Sequence, residues 1–513
     1  RISDAMLTSI HIFEALYQYN SFYSDNMLSL HDKQGQNGLV LGFTNIKRMF
    51  GKILLEFDIN LKFPLSFRAF SDAEDIPLAP GEKLLSEELW LSIDGLPAQQ
   101  MESYAQYTGM KMGARRWFSA PTGWSTWDYY FGDINEEIIL KNAACLQRDR
   151  EDFPLNYIQI DAGYCDERRN WTEWDKAKFP RGPRWLVDRI NEYGFKAGLW
   201  LIPFYAHPQS RVAQEHPEWL VKDREGKPVS YLESAFALDG SHPQVQAWLR
   251  KLAWIITHEW GFEYIKIDGA SIIGITRGEH YDAAATGCAA YRQGIEAFRS
   301  GMKEGTLFMG GIFNVGIGVI DAMRTGGDVG ARWDCSKIEV HRGERDRYHG
   351  SGYVKRAIMS ALNGYFMHGK FWINDGDYLV VREDRSELTL NEARTWATIL
   401  GLYGGSVILG DNMITLSPER KEVINKILPL YIQAAKPLDF LQQEIPGIMV
   451  LNIDREDESW KVVCLINYTD KTETKRLDFD AIGLEFRRVL FRSPYLWFLG
   501  TKILRFAARQ LGY

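Results

Sequence analysis

The chain has 513 residues, of which 45% are hydrophobic and 25% are charged. These values are ordinary for a globular protein, and the length predicts two or three domains. The formal net charge of -7 argues against a nucleic-acid-binding protein and against a basic membrane-surface protein. No apolar run reaches the ~18–20 residues that span a membrane. The five cysteines fit no CxxC spacing, so the sequence predicts neither a disulfide framework nor a zinc site and favours a reducing, cytoplasmic compartment.

Residues 1–95 are predicted to form an N-terminal antiparallel β-sandwich domain. Runs such as "NGLVLGF" and "KILLEFDINLKF" alternate polar and apolar residues between turns, which is typical of strands with one wet face, and "SEELWLSI" predicts another strand. Because the chain starts abruptly at Arg1, we expect the first strand of this domain to be missing. Residues 96–120 are predicted to be a linker, with a helix in "PAQQMESYAQYTGMKMG" that ends at its glycine.

Between residues 121 and 425, short apolar strands alternate with amphipathic helices such as "GPRWLVDRINEYG". The strands are predicted in "GWSTW", "NYIQIDAGY", "FKAGLWLIPF", "FEYIKIDG", "TLFMGGIFN", "VIDAMRTGGDVG", "KFWINDGDYLV" and "SVILGD". About eight strands over about 300 residues is the size of a (β/α)8 TIM barrel of the α/β class. A doubly wound open sheet is the alternative, but no Gly-rich dinucleotide-binding turn follows the first strand.

Residues 426–484 return to a β pattern, in which "GIMVLNIDRE" and "WKVVCLINYTD" predict a small C-terminal β-sandwich. The segment "EFRRVLFRS", residues 485–493, resembles a translated sequencing adapter. Residues 485–513 therefore form a doubtful tail on which no functional inference rests.

Aspartates occur at the ends of four predicted barrel strands. They are Asp161, Asp268, Asp328, and the pair Asp375 and Asp377 in "NDGD". A single strand-end aspartate is most often a helix cap or a turn residue. Several of them converging on the functional rim of a barrel favour chemistry, because two carboxylates facing each other across a cleft suit the cleavage of a glycosidic bond.

Two of these aspartates have a cation close by in the sequence. Lys266 precedes Asp268 by two residues, so both side chains share one face of the strand, and the ammonium would lower the pKa of the carboxyl and keep it ionised as a nucleophile requires. A buried structural ion pair is the alternative. Arg324 precedes Asp328 in the Gly-rich "RTGGDVGARW", where the backbone can approach a ligand closely and the guanidinium can bind sugar hydroxyls; an ordinary turn with a solvated aspartate is the alternative.

Aromatic residues give a second indication of a sugar site. Trp124 and Trp127 lie on the predicted first strand, Trp200 near the end of the third, and Trp333 after the second carboxylate. Their faces can stack on the C–H faces of sugars, although core packing is the expectation for at least half of them.

Taken together, the motifs resemble glycoside hydrolase family 36, the α-galactosidases or melibiases of the clan shared with family 27. The resemblance covers residues 96 to 415 and is carried, in order, by "PTGWSTWDYYFGDINEE", "YIQIDAGY", "GFKAGLWLIPF", "HPEWLVKDREGKP", "ALDGSHPQVQAWL", "GFEYIKID", "MRTGGDVGARW" and "YFMHGKFWINDGDYLVVRED". The resemblance implies a TIM-barrel catalytic domain with β domains on either side and a retaining mechanism.

Roles for individual residues follow from the same resemblance. It implies that Asp268 is the nucleophile and Asp328 the general acid/base. It also implies that Lys266 binds sugar hydroxyls, that Arg324 lies near the sugar 2-hydroxyl, and that Trp200 forms a wall of the pocket. Asp161 matches the first of two adjacent aspartates that hold the 4- and 6-hydroxyls. The N-terminal domain of the family can lend residues to the rim, which makes Tyr17, Tyr19 and Tyr23 candidates there.

The chain departs from the family pattern at Ala162. The family reads "IDD" where this chain reads "IDAG", and an alanine side chain accepts no hydrogen bond from an axial 4-hydroxyl. Losing a charged acceptor costs on the order of 1.5–3 kcal/mol unless another group replaces it. The loop "GGIFNVG" also lacks the cysteine or glutamate that the clan often places near the 2-hydroxyl, and Asn314 is the residue available there.

The predicted function is that of a retaining, exo-acting α-glycosidase that hydrolyses terminal α-galactosides of oligosaccharides without a cofactor or metal. The alternatives are another glycone, a galactosyl transferase of the same family, and an inactive carbohydrate-binding relative. A metal-dependent hydrolase ranks last, because His207 and His216 are nine residues apart in a predicted loop. No nucleic-acid or membrane partner is expected, and a homo-oligomer stays open.

Overall fold

The structure is a computed structural model. It describes the backbone of residues 2–3, 21–32, 36–58, 63–93, 95–166, 168–231, 235–269, 272–311, 314–334, 352–454, 459–477, 482, 497–498 and 501–508. Within this part of the chain, no helix is long and apolar enough to cross a membrane. The four described cysteines, Cys145, Cys165, Cys288 and Cys464, form no disulfide.

Two antiparallel sheets precede the barrel. Their strands are β1 (Ile2–Ser3), β2 (Ser21–Asp25), β3 (Met27–His31), β4 (Gly38–Phe43), β5 (Phe50–Asp58), β6 (Phe63–Asp72) and β7 (Leu89–Ile93). One sheet has the order β1-β3-β4-β7 and the other β2-β5-β6. Apolar side chains such as Leu28, Leu41 and Leu55, each at most 1% exposed, belong to the hydrophobic core of this part of the chain.

A helix, α1 (Pro97–Met112), connects these sheets to the barrel. Proline at its first turn and Gly113 in the left-handed conformation after its last residue, with φ of 73°, mark its two ends. The hydroxyl of Tyr104 donates a hydrogen bond of 2.7 Å to the carbonyl oxygen of Phe43, which ties the helix to the first sheet. The predicted linker helix is therefore confirmed, including its glycine end.

Eight parallel strands form the central sheet. They are β8 (Thr122–Ser125), β9 (Tyr157–Ile160), β10 (Lys196–Leu201), β14 (Tyr264–Ile267), β15 (Leu307–Gly310), β16 (Ala322–Arg324), β17 (Ile373–Asp375) and β18 (Val407–Leu409). The order β17-β16-β15-β14-β10-β9-β8-β18 closes through a parallel bridge between Asp375 and Ser406. Seven of the eight strands are buried along their whole length, and β10 is exposed only at Lys196, as expected for a parallel barrel covered by helices.

The connections carry the helices and one small excursion. The helices are α2 (Trp127–Tyr130), α3 (Glu136–Arg148), α4 (Gly182–Glu192), α5 (Arg211–Glu215), α6 (Pro243–Trp254), α7 (Ile272–Ile275), α8 (Gly287–Gly301), α9 (Val354–Asn363), α10 (Leu390–Leu402) and α11 (Pro418–Asn425). A three-stranded antiparallel sheet follows β10, with β11 (Tyr205–Ala206), β12 (Ser230–Tyr231) and β13 (Ala235–Ala237) in the order β11-β13-β12. The sequence analysis did not predict this sheet, because two- and three-residue strands carry too few positions for a pattern.

The barrel is followed by a five-stranded antiparallel sheet. Its strands are β19 (Lys436–Pro437), β20 (Ile448–Asp454), β21 (Ser459–Ile466), β22 (Trp497–Phe498) and β23 (Thr501–Ala508), in the order β19-β20-β21-β23-β22. Two strands of the doubtful tail thus pair with this sheet, while residues 485–496 lie outside the described residues. The predicted fold class, a TIM barrel between two antiparallel β domains, is confirmed; the exact domain boundaries stay a prediction.

Candidate active site

The carboxyl ends of the barrel strands bring the predicted polar residues to one rim. Asp161 directly follows β9, Asp268 directly follows β14, and Arg324 is the last residue of β16. Asp375 ends the neighbouring strand β17 and lies opposite Arg324 in the register of the two strands. Because all eight strands run parallel, these ends share one face of the barrel, which is where such barrels carry their chemistry.

One half of the rim is built around Tyr378. Its hydroxyl donates a hydrogen bond of 2.8 Å to Oδ2 of Asp161 and accepts one of 2.6 Å from Nζ of Lys266. Lys266 Nζ also lies 3.5 Å from Asp161 Oδ2 and 4.5 Å from the centre of the Tyr378 ring. All three side chains are buried, at 3–8% exposure, so these contacts satisfy polar groups that have little access to water.

Further hydrogen bonds fix the carboxylate of Asp161. Its Oδ2 accepts a hydrogen bond of 2.7 Å from Nε2 of Gln159, and its Oδ1 accepts one of 2.9 Å from the backbone N–H of Ala162. The Asp161 N–H donates to Oγ1 of Thr126 at 3.0 Å. The position that holds a second aspartate in the family therefore contributes a backbone N–H to Asp161 and no side-chain acceptor.

The other half of the rim is built around Arg324. Its Nη2 lies 2.9 Å from Oδ2 of Asp377 and 3.4 Å from Oδ1 of Asp328, and its Nε lies 3.6 Å from Oδ1 of Asp375. Arg324, Asp375 and Asp377 have side chains that are at most 9% exposed, whereas the side chain of Asp328 is 70% exposed. The predicted acid/base therefore faces the solvent side of a buried charge cluster.

The charges of this cluster set its protonation. Desolvation raises the pKa of Asp328, but the positive charges of Arg324 and Lys266 outweigh it and hold that pKa below its ordinary value. Burial raises the pKa of Asp377 to about 7, with Arg324 opposing and the negative charges of Asp328 and Asp375 adding to the rise. Two carboxyl groups that share one guanidinium thus have opposite pKa shifts, as is typical of functional sites.

Asp268 lies between the two halves in the strand order. It is half-buried, and its backbone N–H donates a hydrogen bond of 3.0 Å to the carbonyl oxygen of Leu201. The chain after it packs closely against the loop that follows β15, because a Cβ added at Gly311 would lie 2.4 Å from the backbone nitrogen of Gly269. The predicted pairing of Lys266 with Asp268 stays a prediction, since the Lys266 contacts described above go to Asp161 and Tyr378.

The predicted aromatic residues separate into two groups. Trp200 lies opposite Lys266 in the strand register, is 8% exposed, and packs edge-on against Trp171 with ring centroids 6.1 Å apart. Trp333 is half-buried and, among the described residues, makes no ring contact or side-chain hydrogen bond with the other predicted site residues. Trp200 is therefore placed at the rim, and the contact of Trp333 with a ligand stays a prediction.

Other candidates from the sequence lie elsewhere. Trp124 is fully buried, and its Nε1–H donates a hydrogen bond of 2.7 Å to the carbonyl oxygen of Asp411, which makes it a core residue. The prediction that Trp127 lies on the first strand is wrong: the chain turns into the helical conformation at Thr126, and Trp127 begins α2. Asn314 is buried in a short 3-10 helix. Tyr23 is 58% exposed on β2, and Tyr17 and Tyr19 lie outside the described residues.

Two parts of the site were missed by the sequence analysis. Tyr378 was not singled out, although it follows Asp377 directly in "NDGDY", and Asp375 and Asp377 were noted only as strand-end carboxylates. The signal was an acidic, aromatic cluster at a strand end. The order of charges along the chain does not reveal that Tyr378, three residues after the end of β17, contacts Asp161 after β9 and Lys266 on β14.

The arrangement suits the recognition of a small molecule with many hydroxyl groups. Ionised carboxylates accept hydrogen bonds, Lys266 and Arg324 donate them, and the exposed Asp328 can exchange protons. Among the described residues, no group of three or more histidine, cysteine, aspartate or glutamate side chains could hold a metal ion.

Fold and site together define a (β/α)8-barrel protein with an acidic rim that is supported by two buried cations, Lys266 and Arg324. Residues 102–301 match the Melibiase family model, and this segment is a melibiase-family domain. The resemblance to the melibiase family predicted from the motifs is therefore confirmed.

Individual relatives agree with this assignment. An α-galactosidase of Geobacillus stearothermophilus is 29% identical over 151 residues, which is 28% of this chain and 20% of that protein. An α-galactosidase of Schizosaccharomyces pombe is 24% identical over 320 residues, which is 59% of this chain and 64% of that protein. The chain thus spans between 20% and 64% of the length of these two curated relatives.

Solved structures show the same fold. An α-galactosidase of Thermus thermophilus in complex with stachyose superposes with a TM-score of 0.64 at 22% identity, covering 80% of this chain and 81% of that chain. A family 36 α-galactosidase of Geobacillus stearothermophilus superposes with a TM-score of 0.62 at 16% identity, covering 95% of this chain and 72% of that one. At these identities the likeness establishes the fold.

Proposed function

We propose that this protein is a retaining, exo-acting α-glycosidase that hydrolyses terminal α-galactosides. The observation that carries the proposal is the rim itself, where Nη2 of Arg324 lies 3.4 Å from Asp328 and Nζ of Lys266 lies 3.5 Å from Asp161 at the carboxyl ends of strands of one barrel. The melibiase domain and the activity of the two relatives, both of which are α-galactosidases, support the same reaction and the same glycone.

The first step of the proposed mechanism forms a glycosyl-enzyme. A carboxylate oxygen of Asp268 attacks C1 of the α-glycoside, the bond from C1 to the leaving oxygen breaks, and the proton of Asp328 passes to that oxygen. Asp161, Lys266 and Arg324 bind the hydroxyl groups of the glycone, and Trp200 bounds it on one side. Binding energy from these contacts orients C1 for attack.

The second step releases the sugar. Asp328, now ionised, takes a proton from a water molecule whose oxygen attacks C1, and the ester bond to Asp268 breaks. Two inversions at C1 leave the anomeric configuration unchanged. Because Arg324 and Lys266 lower the pKa of Asp328 in the free site, the substrate must weaken these contacts and exclude water before Asp328 can hold its proton.

A different glycone is the second candidate, and Ala162 favours it. In this chain the residue after Asp161 presents only a backbone N–H, which is used by Asp161 itself. A glycone that lacks an axial 4-hydroxyl would not need the missing acceptor. The family resemblance and the activity of the relatives support α-galactosides as the first candidate.

A screen of nitrophenyl glycosides tests the function. The panel contains the α-galactoside, the α-glucoside, the α-N-acetylgalactosaminide and the β-L-arabinopyranoside, and the anomer formed first is followed by NMR. We expect hydrolysis of the α-galactoside with release of the α-anomer. Preference for another glycoside would support the second candidate, release of the β-anomer would overturn the mechanism, and no hydrolysis above background would favour a carbohydrate-binding protein.

A further inference from the structure

We propose that Asp377 is the positioning residue of the acid/base, holding the loop of Asp328 and its arginine partner in the geometry for proton transfer. The carboxylate of Asp377 contacts both: Oδ2 accepts a hydrogen bond of 2.7 Å from the backbone N–H of Val329 and lies 2.9 Å from Nη2 of Arg324. The inference rests on the proposed function, because it assigns Asp377 a part in that reaction.

The acid/base loop needs such an anchor. Asp328 follows Gly326 and Gly327, whose backbones are conformationally permissive, and its own side chain is 70% exposed. Arg324 donates a hydrogen bond of 3.2 Å to the carbonyl oxygen of Gly326 in this loop, but Gly326 comes two residues before Asp328. The hydrogen bond from the N–H of Val329 to Asp377 fixes the residue directly after Asp328. At 2.7 Å it is also shorter than the contact between Arg324 and Gly326.

Asp377 is itself held in a costly arrangement. Its φ of 77° lies in the left-handed region, which non-glycine residues rarely occupy, and its N–H donates a hydrogen bond of 2.9 Å to Oδ1 of Asp375. Its Oδ1 is buried and accepts no hydrogen bond from the described residues. Strained backbone and an open buried oxygen cluster at functional sites, where the surrounding structure maintains them for a purpose.

The charges around Asp377 link it to Asp328. Arg324 of β16, Lys266 of β14, Asp375 of β17 and Asp328 of the loop all act on it electrostatically. Arg324 interacts with both carboxylates. Removing the negative charge of Asp377 removes its repulsion of Asp328 and strengthens the net attraction between Arg324 and Asp328. The pKa of Asp328 would fall further, so a smaller fraction of Asp328 would carry the proton that it has to donate.

The test measures how the variants depend on the leaving group. Asp377→Asn keeps an acceptor oxygen, whereas Asp377→Gly tolerates the positive φ and removes the side chain. Each is assayed on a 2,4-dinitrophenyl α-galactoside, whose leaving group needs no proton, and on an α-galactosyl disaccharide, whose leaving group does. Asp439→Asn is the matched control, because Asp439 is a buried aspartate that accepts backbone N–H groups at 2.9–3.1 Å outside the barrel rim.

General acid catalysis contributes 10²–10⁴-fold, so we expect kcat/KM on the disaccharide to fall about 10²-fold in Asp377→Asn and further in Asp377→Gly, with a loss of less than about 5-fold on the dinitrophenyl substrate. The basic limb of the pH profile should move to lower pH. Asp439→Asn should change kcat/KM by the same factor on both substrates. Equal losses on both substrates in an Asp377 variant would overturn this role alone. Wild-type protein inert on both substrates would overturn the proposed function and this role with it.

Discussion

The hydroxyl of Tyr378 lies 2.6 Å from the ammonium nitrogen of Lys266, at the centre of the barrel rim. Burial, and then the charge of Asp161, raise the pKa of Tyr378 well above its ordinary value, so the phenol stays protonated and continues to donate to Asp161. Three strands are thereby joined at one point: β9 through Asp161, β14 through Lys266, and the exit of β17 through the tyrosine. The side chains proposed to bind the sugar are therefore held in place by contacts within the protein itself.

Replacing Tyr378 with phenylalanine tests this pre-orientation. The variant leaves Lys266 and Asp161 without their shared hydroxyl, and a hydrogen bond to a charged group contributes about 1.5–3 kcal/mol, which is roughly 10–100-fold in kcat/KM. Steady-state kinetics on an α-galactoside should show this loss. Tyr104→Phe is the control, because it removes another buried tyrosine bond, from α1 to the carbonyl oxygen of Phe43. Equal effects of the two variants would contradict a role of Tyr378 in the site.

The stability of the protein should depend on pH through Asp377. Its pKa of about 7 in the folded protein lies above the ordinary 3.8, so between these values the folded state binds more protons than the unfolded state, and the unfolding free energy falls as pH rises. The Asp377→Asn variant lacks this titratable carboxyl group. The unfolding free energy of wild type minus that of the variant should therefore fall from pH 5 to pH 8, by more than about 1 kcal/mol.

Reversible denaturant unfolding at several pH values measures this difference. The window isolates Asp377, because Asp328 has a lowered pKa and is ionised in both states above pH 5. Groups present in both proteins, such as Asp128, cancel in the difference. A difference that is constant or rises with pH would contradict the raised pKa.

A buried ion triad supports the barrel near β18. Nη1 of Arg382 lies 2.6 Å from Oδ2 of Asp128 and 2.8 Å from Oδ1 of Asp411, and Arg382 is 1% exposed. Burial raises the pKa of Asp128 to about 6, and Arg382 limits the rise. Arg382→Met leaves two buried carboxylates without their cation and should lower the unfolding free energy by about 3–5 kcal/mol. Arg148→Met, at a side chain that is 69% exposed, should leave the unfolding free energy almost unchanged, and an equally small effect of Arg382→Met would contradict a stabilising role of the triad.

Gly311 offers a test of the backbone next to Asp268. A Cβ at this position would lie 2.4 Å from the nitrogen of Gly269 and 3.4 Å from the carbonyl carbon of Asp268, so Gly311→Ala must displace that segment. We expect kcat to fall by about 10²-fold, the effect of a displacement of roughly 1 Å at a reacting group. Gly132→Ala, where an added Cβ meets nothing within 4 Å, is the control. Unchanged kcat in Gly311→Ala would show that Asp268 tolerates the shift.

Much of the barrel could be predicted from the sequence because its strands are short apolar runs bounded by turns. "YIQI" and "YIKI" correspond to β9 and β14 without change. The ends of the strands also placed Asp161, Asp268 and Arg324 on one rim, since parallel strands share an exit face. The error at Trp127 arose because the change from strand to helix at Thr126 leaves no mark in an apolar, aromatic stretch.

The contacts of the site were less predictable than its members. Alternation along one strand put Lys266 beside Asp268, yet the described contacts of its ammonium run across the barrel, to residues 105 and 112 positions away in the chain. Such long-range contacts depend on the closure of the barrel and on side-chain length. The roles of Tyr378 and Asp377 belong to the same category, because only the folded rim brings them to their partners.

The central claim is that Asp268 is the nucleophile and Asp328 the acid/base. The most direct test of these roles is the anomer of the glycosyl azide that each variant forms. In Asp268→Gly, azide should attack C1 of the dinitrophenyl α-galactoside itself, a single inversion that gives the β-galactosyl azide. In Asp328→Ala, azide should attack the glycosyl-enzyme, a second inversion that gives the α-galactosyl azide. NMR of the two products distinguishes them. Normal hydrolysis by Asp268→Gly, or an α-azide from that variant, would contradict Asp268 as the nucleophile.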